Sequence, residues 1–81
     1  MHIFMTIQVR FFASLREQIG IADTQLEASA ALTVIQVWQQ TTGQSTLPAN
    51  ILMAVNMDYV AAEQPVADGD EVAFFPPVTG G

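Results

Sequence analysis

The chain has 81 residues, 51% of them hydrophobic, which is enough for one small domain and argues against intrinsic disorder. Two arginines and no lysine oppose eight acidic residues, for a net charge of −6. Nucleic acids and anionic membranes select positive charge, so we expect neither as a partner. The lack of cysteine excludes disulfides, thiolate metal sites and a cysteine nucleophile.

The first third of the chain predicts two strands around a short helix. Residues 3–12 alternate with period 2 and indicate a half-buried strand, with Phe11 on the inner face and Phe12 beside Arg10 on the other. Ser14 is the predicted N-cap of a helix of under two turns that Gly20 ends. Residues 23–27 indicate a modest second strand.

The middle of the chain predicts the main helix. Thr33 is a suitable N-cap and Gly43 a suitable C-terminal stop. Between them, residues at helical spacing form one buried stripe, namely Val34, Val37, Trp38 and Thr41. We interpret Trp38 as a core residue and not as part of a cofactor site.

The last third predicts three strands joined by turns. Residues 51–55 form a dense apolar strand, and residues 56–58 a tight turn into a short strand at 59–60. Residues 68–70 read Asp-Gly-Asp, which is typical of a further turn. Residues 71–75 form the last strand. The order of elements indicates an α+β fold with the main helix packed across one face of a mixed sheet.

Both terminal strands carry a Phe-Phe pair that alternation must split. If Phe11 and Phe74 face the core, Phe12 and Phe75 face outward. If the first and last strands are central neighbours in the sheet, Phe12 and Phe75 form one apolar patch, joined more weakly by Tyr59. Such patches mark binding sites. The alternative is that a loop or the short helix covers the patch.

The carboxyl end is the remaining feature with functional promise. Pro76-Pro77 ends the last strand and favours a stiff, extended exit for the tail Val78-Thr79-Gly80-Gly81. Glycine lacks a Cβ atom, so such a tail fits a narrow partner channel. We expect a domain at 1–75 and an extended tail at 76–81. On the residue pattern alone, an ordinary frayed terminus is an open alternative.

Side chains suited to catalysis are scarce. The single histidine, His2, lies at the start, and no serine has a histidine base in an ordered element. Asp68, Asp70 and Glu71 have turn chemistry as their ordinary role. The one group placed for chemistry is the Gly81 carboxylate, and no ATP site accompanies it, so a partner enzyme must activate it. Sulfur attack then gives a thiocarboxylate, and amine attack gives an amide.

Residues 68–81 closely resemble the ending of the small, sulfur-carrier subunits of molybdopterin synthase. Phe11-Phe12-Ala13, Arg16-Glu17 and Gly20 resemble the opening of that family, and Val55-Asn56 with Tyr59-Val60 resembles its central hairpin. The likeness runs from Met5 onward. The four residues before Met5 and the lack of lysine are departures, and either Met1 or Met5 could be the true start.

The resemblance implies a ubiquitin-like β-grasp fold with a flexible Gly-Gly tail. It implies that a ubiquitin-activating-like adenylyltransferase uses ATP to adenylate Gly81 and that a persulfide donor supplies sulfur. The thiocarboxylate would then donate sulfur to cyclic pyranopterin monophosphate in the large synthase subunit, within a heterotetramer. The sequence shows no basic targeting segment and no apolar run of membrane-spanning length, so we expect a cytoplasmic location. Gly80 would let the tail fit the partner's narrow channel. The interface would comprise Phe75, Phe12, Tyr59, Pro76, Pro77, Val78 and Thr79. The chain itself would bind no cofactor or metal.

Three other functions stay open at this point. A sulfur carrier for thiamin thiazole synthesis would share the fold and the Gly-Gly end, although such carriers usually lack the Phe-Phe-Pro-Pro stretch. A ubiquitin-like modifier would join the same terminus to lysines of other proteins. A plain binding module would have an inert tail. The acidic surface favours basic protein partners, although solubility alone would also explain the charge.

Overall fold

Nine helices and strands follow one another within residues 5–77, the part of the chain that the computed structural model describes. In chain order they are β1 (Met5–Phe11), α1 (Ala13–Ile19), β2 (Asp23–Ala28), β3 (Leu32–Thr33), α2 (Val34–Thr42), β4 (Leu52–Val55), β5 (Asp58–Tyr59), β6 (Pro65–Val66) and β7 (Glu71–Phe75). The predictions for Val78, Thr79, Gly80 and Gly81, including the flexibility of the tail, lie outside the described residues.

Five strands form a mixed sheet in the order β2-β1-β7-β4-β5. The first and last strands, β1 and β7, are parallel neighbours at its centre, with Phe11 opposite Phe74. The remaining pairs in this sheet are antiparallel. The predicted β-grasp arrangement is therefore confirmed, including the central position of the two strands that carry the Phe-Phe pairs.

Helix α2 lies against one face of the sheet and closes the core. Its start is held by the Gln36 Oε1 atom, which accepts the Thr33 backbone N–H at 2.8 Å. Val34, Val37 and Trp38 are fully buried, as predicted, whereas Thr41, the last member of the predicted stripe, is half-buried and its hydroxyl donates to the Val37 carbonyl at 2.7 Å. The helix ends at Gly43, whose φ of 77° lies in the left-handed region that glycine adopts without strain.

Three aromatic rings form the centre of the core. The rings of Phe11 and Phe74 stack at 5.7 Å across the parallel strands, and Trp38 contacts them edge-on at 6.2 and 5.1 Å. The Trp38 Nε1–H donates to the Thr46 carbonyl at 3.0 Å, so the buried indole leaves no polar atom unsatisfied. Trp38 is thus a core residue, as predicted.

The junction between β1 and α1 differs from the prediction. The strand ends at Phe11, and Phe12, not Ser14, occupies the N-cap, so the expected Ser14 cap is wrong. The reason is that the Phe12 N–H still donates to the Phe74 carbonyl at 3.1 Å while its own carbonyl accepts the Arg16 N–H at 3.3 Å. The chain passes directly from the sheet into the helix, with Ala13 at a φ of 56°.

A second, two-stranded sheet was not expected from the sequence. Strands β3 and β6 pair antiparallel, which makes four strands after α2 and not three. Each is two residues long, too short to show a period of 2, and Pro65 in β6 is typical of a loop rather than a strand. The loop before β6 supplies the Ala62 and Gln64 carbonyls that accept the first N–H groups of α2.

Smaller boundary differences occur elsewhere. The strand expected at 51–55 begins at Leu52, and the returning strand comprises Asp58 and Tyr59, so Val60 lies beyond it. The turn between them places Asn56 and Met57 at φ values of 51° and 73°, which fits a two-residue hairpin turn with left-handed backbone at both positions. No helix within residues 5–77 is long and apolar enough to cross a membrane.

Candidate functional site

The face of the sheet opposite α2 carries the outward residues of both Phe-Phe pairs. The rings of Phe12 and Phe75 meet edge-on at 6.4 Å, and the ring of Tyr59 lies 5.8 Å from that of Phe75. These three side chains are called the aromatic patch below. The prediction that Phe12 and Phe75 share one face is confirmed, and Tyr59 joins them. Their role at a partner interface stays a prediction.

The aromatic patch is open to solvent. Phe12 is 42% exposed and Tyr59 73%, while Phe75 between them is half-buried. The alternative that a loop or α1 covers the patch is therefore wrong. Burial of such an exposed apolar surface by a partner would be favourable, so the exposure of the patch is compatible with the predicted interface.

Leu52 extends the apolar end of this face and was not singled out from the sequence. It lies directly opposite Phe75 in the register of β4 and β7, and it is half-buried. Residues 51–55 are apolar throughout, so their sequence does not reveal which side chains face the core. The outward direction of Leu52 can be assigned only once the register of β4 with β7 is known.

The tail leaves the sheet at the aromatic patch. Strand β7 ends at Phe75, and Pro76 and Pro77 follow it as half-buried residues outside the sheet. Proline cannot donate to a sheet ladder, so the pair ends the strand here. Any partner that docks on the patch therefore contacts the surface from which the last residues depart.

The part of the open face formed by β1 and β2 is polar. The Arg10 guanidinium lies 3.5 Å from the Glu71 carboxylate, and both side chains are substantially exposed, so this ion pair contributes little to stability. The same guanidinium lies 5.5 Å from the centroid of the Phe12 ring. Arg10 thus borders the aromatic patch on its polar side. The sequence placed Arg10 beside Phe12, but it did not indicate the contact with Glu71.

The crowded acids near the last turn have structural partners. The Asp68 Oδ1 atom accepts the Thr6 N–H at 2.8 Å, and the Asp70 Oδ2 atom accepts the Ala67 N–H at 2.8 Å. The predicted role in turn chemistry is confirmed for Asp70, whereas Asp68 ties the turn to β1, and Glu71 lies in β7 with its carboxylate paired to Arg10. Within residues 5–77, no group of three or more histidine, cysteine or acidic side chains is arranged to hold a metal ion.

Asn56 ties the hairpin turn to this acidic turn. Its Nδ2 atom donates to Asp70 at 3.0 Å, and its Oδ1 atom accepts the Glu71 N–H at 3.0 Å. The Asn56 backbone N–H also donates to the Glu71 carbonyl at 2.8 Å. One side chain therefore holds the start of β7, which carries Phe74, Phe75 and the tail, to the hairpin that carries Tyr59.

Comparisons with known proteins agree with this geometry. A family model described as the ThiS family matches residues 9–81. The molybdopterin synthase sulfur carrier subunit of Escherichia coli (strain K12) is 44% identical over 81 residues, covering 93% of this chain and 99% of that protein. The subunit of the same name from Haemophilus influenzae (strain ATCC 51907 / DSM 11121 / KW20 / Rd) is 39% identical over 80 residues, with the same coverage.

The fold is also similar to solved structures. The crystal structure of SAMP1 from Haloferax volcanii superimposes with a TM-score of 0.75 at 25% sequence identity. The match covers 94% of this chain and 99% of that one.

Proposed function

The chain belongs to the ThiS family, and we propose that it is the sulfur carrier subunit of a molybdopterin synthase. The observation that carries this proposal is the 44% identity, over nearly the full length of both chains, to a protein of that name from Escherichia coli. The open aromatic patch beside the exit of the tail supports it, because a carrier must dock on partners that act on its terminus.

The reactive group is the Gly81 carboxylate, which is a poor acyl donor until it is activated. We expect a partner adenylyltransferase to join this carboxylate to AMP from ATP, with release of pyrophosphate. A persulfide sulfur then displaces AMP, and a thiol cleaves the resulting acyl disulfide to leave a terminal thiocarboxylate. This sequence of steps loads reactive sulfur onto a chain that has no cysteine.

The tail delivers this sulfur to a second partner. Gly80 and Gly81 present no Cβ atom, so they fit a channel too narrow for other residues. Pro76 and Pro77 favour an extended exit, and the six residues from Pro76 to Gly81 span up to about 20 Å when extended. In the large synthase subunit, the sulfur of the thiocarboxylate would attack cyclic pyranopterin monophosphate, and water would then cleave the bond between the Gly81 acyl carbon and the sulfur, which restores the carboxylate.

The folded body supplies recognition and not catalysis. We assign the partner interface to the surface formed by Phe75, Phe12 and Tyr59, with Pro76 and Pro77 at its edge. We expect Val78 and Thr79 to enter the partner's channel. Large aromatic side chains are frequent energetic centres of interfaces. We expect two such carriers on a dimer of large subunits. The chemistry uses ATP and reduced thiols, which the cytoplasm supplies, so we place the protein there.

Intact mass after co-expression with the adenylyltransferase and a persulfide donor tests the proposal. A mass gain equal to replacing one oxygen by sulfur supports a carrier. Conjugates of higher mass would identify a protein modifier, and an unchanged mass would identify an inert tail. Either of the last two results would overturn the proposal.

The pathway is tested by transfer from the loaded protein. With the purified large subunit, we expect conversion of cyclic pyranopterin monophosphate to molybdopterin, and transfer only into thiazole synthesis would contradict the assignment. A chain lacking Gly81 should give no product yet bind the large subunit as well as the intact chain does. Product formation without Gly81 would exclude this mechanism.

A further inference from the structure

Charge is distributed very unevenly along this chain. Residues 28–57 contain no charged side chain, although they include α2 and β4. All eight acidic residues and both arginines lie within residues 10–27 and 58–71. Because these segments form different parts of the fold, charge is also distributed unevenly over the surface of the molecule.

The exposed surface of α2 itself carries no charge, and the acids near this side of the molecule are Asp58, across from Val55, and Glu63, in the loop beside the start of the helix. The exposed side chains of this helix are the amides Gln36, Gln39 and Gln40. The sheet face opposite α2, by contrast, carries three carboxylates. Asp23 lies across from Arg10 and Glu27 across from Thr6 in the register of β1 and β2, and Glu71 lies across from Gln8 on β7. These three residues are called the acidic rim.

The acidic rim continues the aromatic patch on the same face. Arg10 stands between the two, paired with Glu71 and stacked beside Phe12. Three carboxylates against one guanidinium leave this face with an excess of two negative charges (3 − 1 = 2). Docking that buries the aromatic patch therefore brings a partner's surface over, or close to, uncompensated carboxylates.

We propose that the acidic rim faces a strip of arginine or lysine side chains on the large synthase subunit and steers the approach of the open face toward it. This inference rests on the function proposed above and names the chemistry of the partner's surface. Complementary charge raises association rates more than it slows dissociation. Carboxylates beside the aromatic patch, together with the uncharged exposed surface of α2, favour encounters in which the aromatic patch and the tail exit already face the partner.

Protection of a sheet edge would also explain two of the three residues of the acidic rim. Strand β2 is an edge of the sheet, and charged residues on edge strands prevent pairing with other chains. This would account for Asp23 and Glu27. It does not account for Glu71, which lies on the central strand β7 where no free edge exists. The two explanations also predict different results when the charges are removed.

The test measures association and dissociation rates with the purified large subunit by stopped-flow fluorescence over a range of salt concentrations. Glu27→Gln is compared with Glu63→Gln, which makes the same chemical change at an exposed residue in the loop beside the start of α2. The double variant D23N/E27Q enlarges the effect. Thermal unfolding of each variant checks that the fold is unchanged.

We expect D23N/E27Q to associate about ten-fold more slowly at low salt, with a weaker salt dependence and nearly unchanged dissociation. Glu63→Gln should change the rate less than Glu27→Gln does. Arg10→Gln should associate faster than the unmodified chain, because it makes the face more negative. These signs together identify a basic partner surface.

Three results would overturn the inference. Equal association rates for the Glu27 and Glu63 variants would show that position does not matter. Slower association of Arg10→Gln would indicate an acidic partner surface. Self-association of D23N/E27Q at an unchanged partner rate would show that the charges protect the edge of β2. Absence of any binding by the unmodified chain would instead contradict the proposed function.

Discussion

The two phenylalanine pairs of this protein show how one residue type serves two purposes. Phe11 and Phe74 are 2% and 0% exposed and stack on each other beneath α2. Phe12 and Phe75, their immediate neighbours in sequence, meet on the opposite face, where Phe12 is 42% exposed. The difference arises from strand alternation alone, because successive side chains point to opposite faces.

This comparison separates stability from recognition. The inner pair, with Trp38, has apolar neighbours on all sides, so removal of a ring leaves a cavity. The outer pair and Tyr59 rest on the sheet with one side open to water. We therefore expect substitutions on the inner face to affect unfolding and substitutions on the outer face to affect binding.

The largest expected effect is on the inner face. Phe74→Ala should lower the free energy of unfolding by about 3–5 kcal/mol, because the buried ring is lost and a cavity is left. Phe75→Ala, one residue away, should cost less than about 1.5 kcal/mol, since its site is only half-buried. Urea denaturation measures both.

A small domain has only about 5–15 kcal/mol of total stability, so Phe74→Leu provides a milder variant if Phe74→Ala does not fold. Equal losses at positions 74 and 75 would contradict the division into an inner and an outer face.

The next effect concerns the outer face. Phe75→Ser should weaken binding to the large subunit by about 2 kcal/mol or more, roughly 30-fold, with unchanged far-ultraviolet circular dichroism. Isothermal titration calorimetry measures the affinity. Met57→Ser is the matched control, because Met57 is 88% exposed at the hairpin tip, outside the aromatic patch. The interface assignment would be wrong if both variants bound equally well.

Asn56 offers a third test, since it supports the strand that carries both inner and outer rings. Asn56→Gly removes the side-chain bonds to Asp70 and Glu71 while it permits the φ of 51°. We expect a loss of about 1–3 kcal/mol in unfolding free energy, because both bonds are lost and the Glu71 N–H donor and the Asp70 Oδ1 acceptor lose their partner. Asn50→Gly in the exposed loop before β4 is the control. A loss of unfolding free energy no larger than that of the control would contradict the stabilising link between the two turns.

The smallest effect is expected for Arg10, which lies between the aromatic patch and the acidic rim. Arg10→Gln should change the free energy of unfolding by less than about 1 kcal/mol, because an exposed ion pair and an exposed ring contact contribute little. Thermal denaturation at low and at high salt measures it. A loss larger than that of Asn56→Gly would mean that Arg10 supports the fold and not the surface.

Local patterns predicted much of this fold. The period of 2 in β1 and β7 separated Phe11 from Phe12 and Phe74 from Phe75, and these assignments are confirmed. The N-cap at Thr33 and the stop at Gly43 were also correct. These features depend on a few neighbouring residues, so the sequence displays them directly.

Features that depend on distant pairing could not be predicted. Strands β3 and β6 are too short for a period and exist only because they pair with each other. The outward direction of Leu52 follows from its register with Phe75. Ser14 resembled an N-cap, yet a sheet hydrogen bond from Phe12 sets the start of α1. In each case the deciding contact lies far away along the chain.

The proposed function depends on a single reactive group, the carboxylate of Gly81, which the folded body delivers to its partners. The most direct test is a semisynthetic chain whose terminal carboxylate is replaced by an amide, with the unblocked semisynthetic chain as control. Pterin sulfuration is measured with the activating enzyme, the persulfide donor and the large subunit present. We predict background sulfuration for the amide and full sulfuration for the control, with equal binding to the large subunit. Sulfuration by the amide at the level of the control would contradict the account.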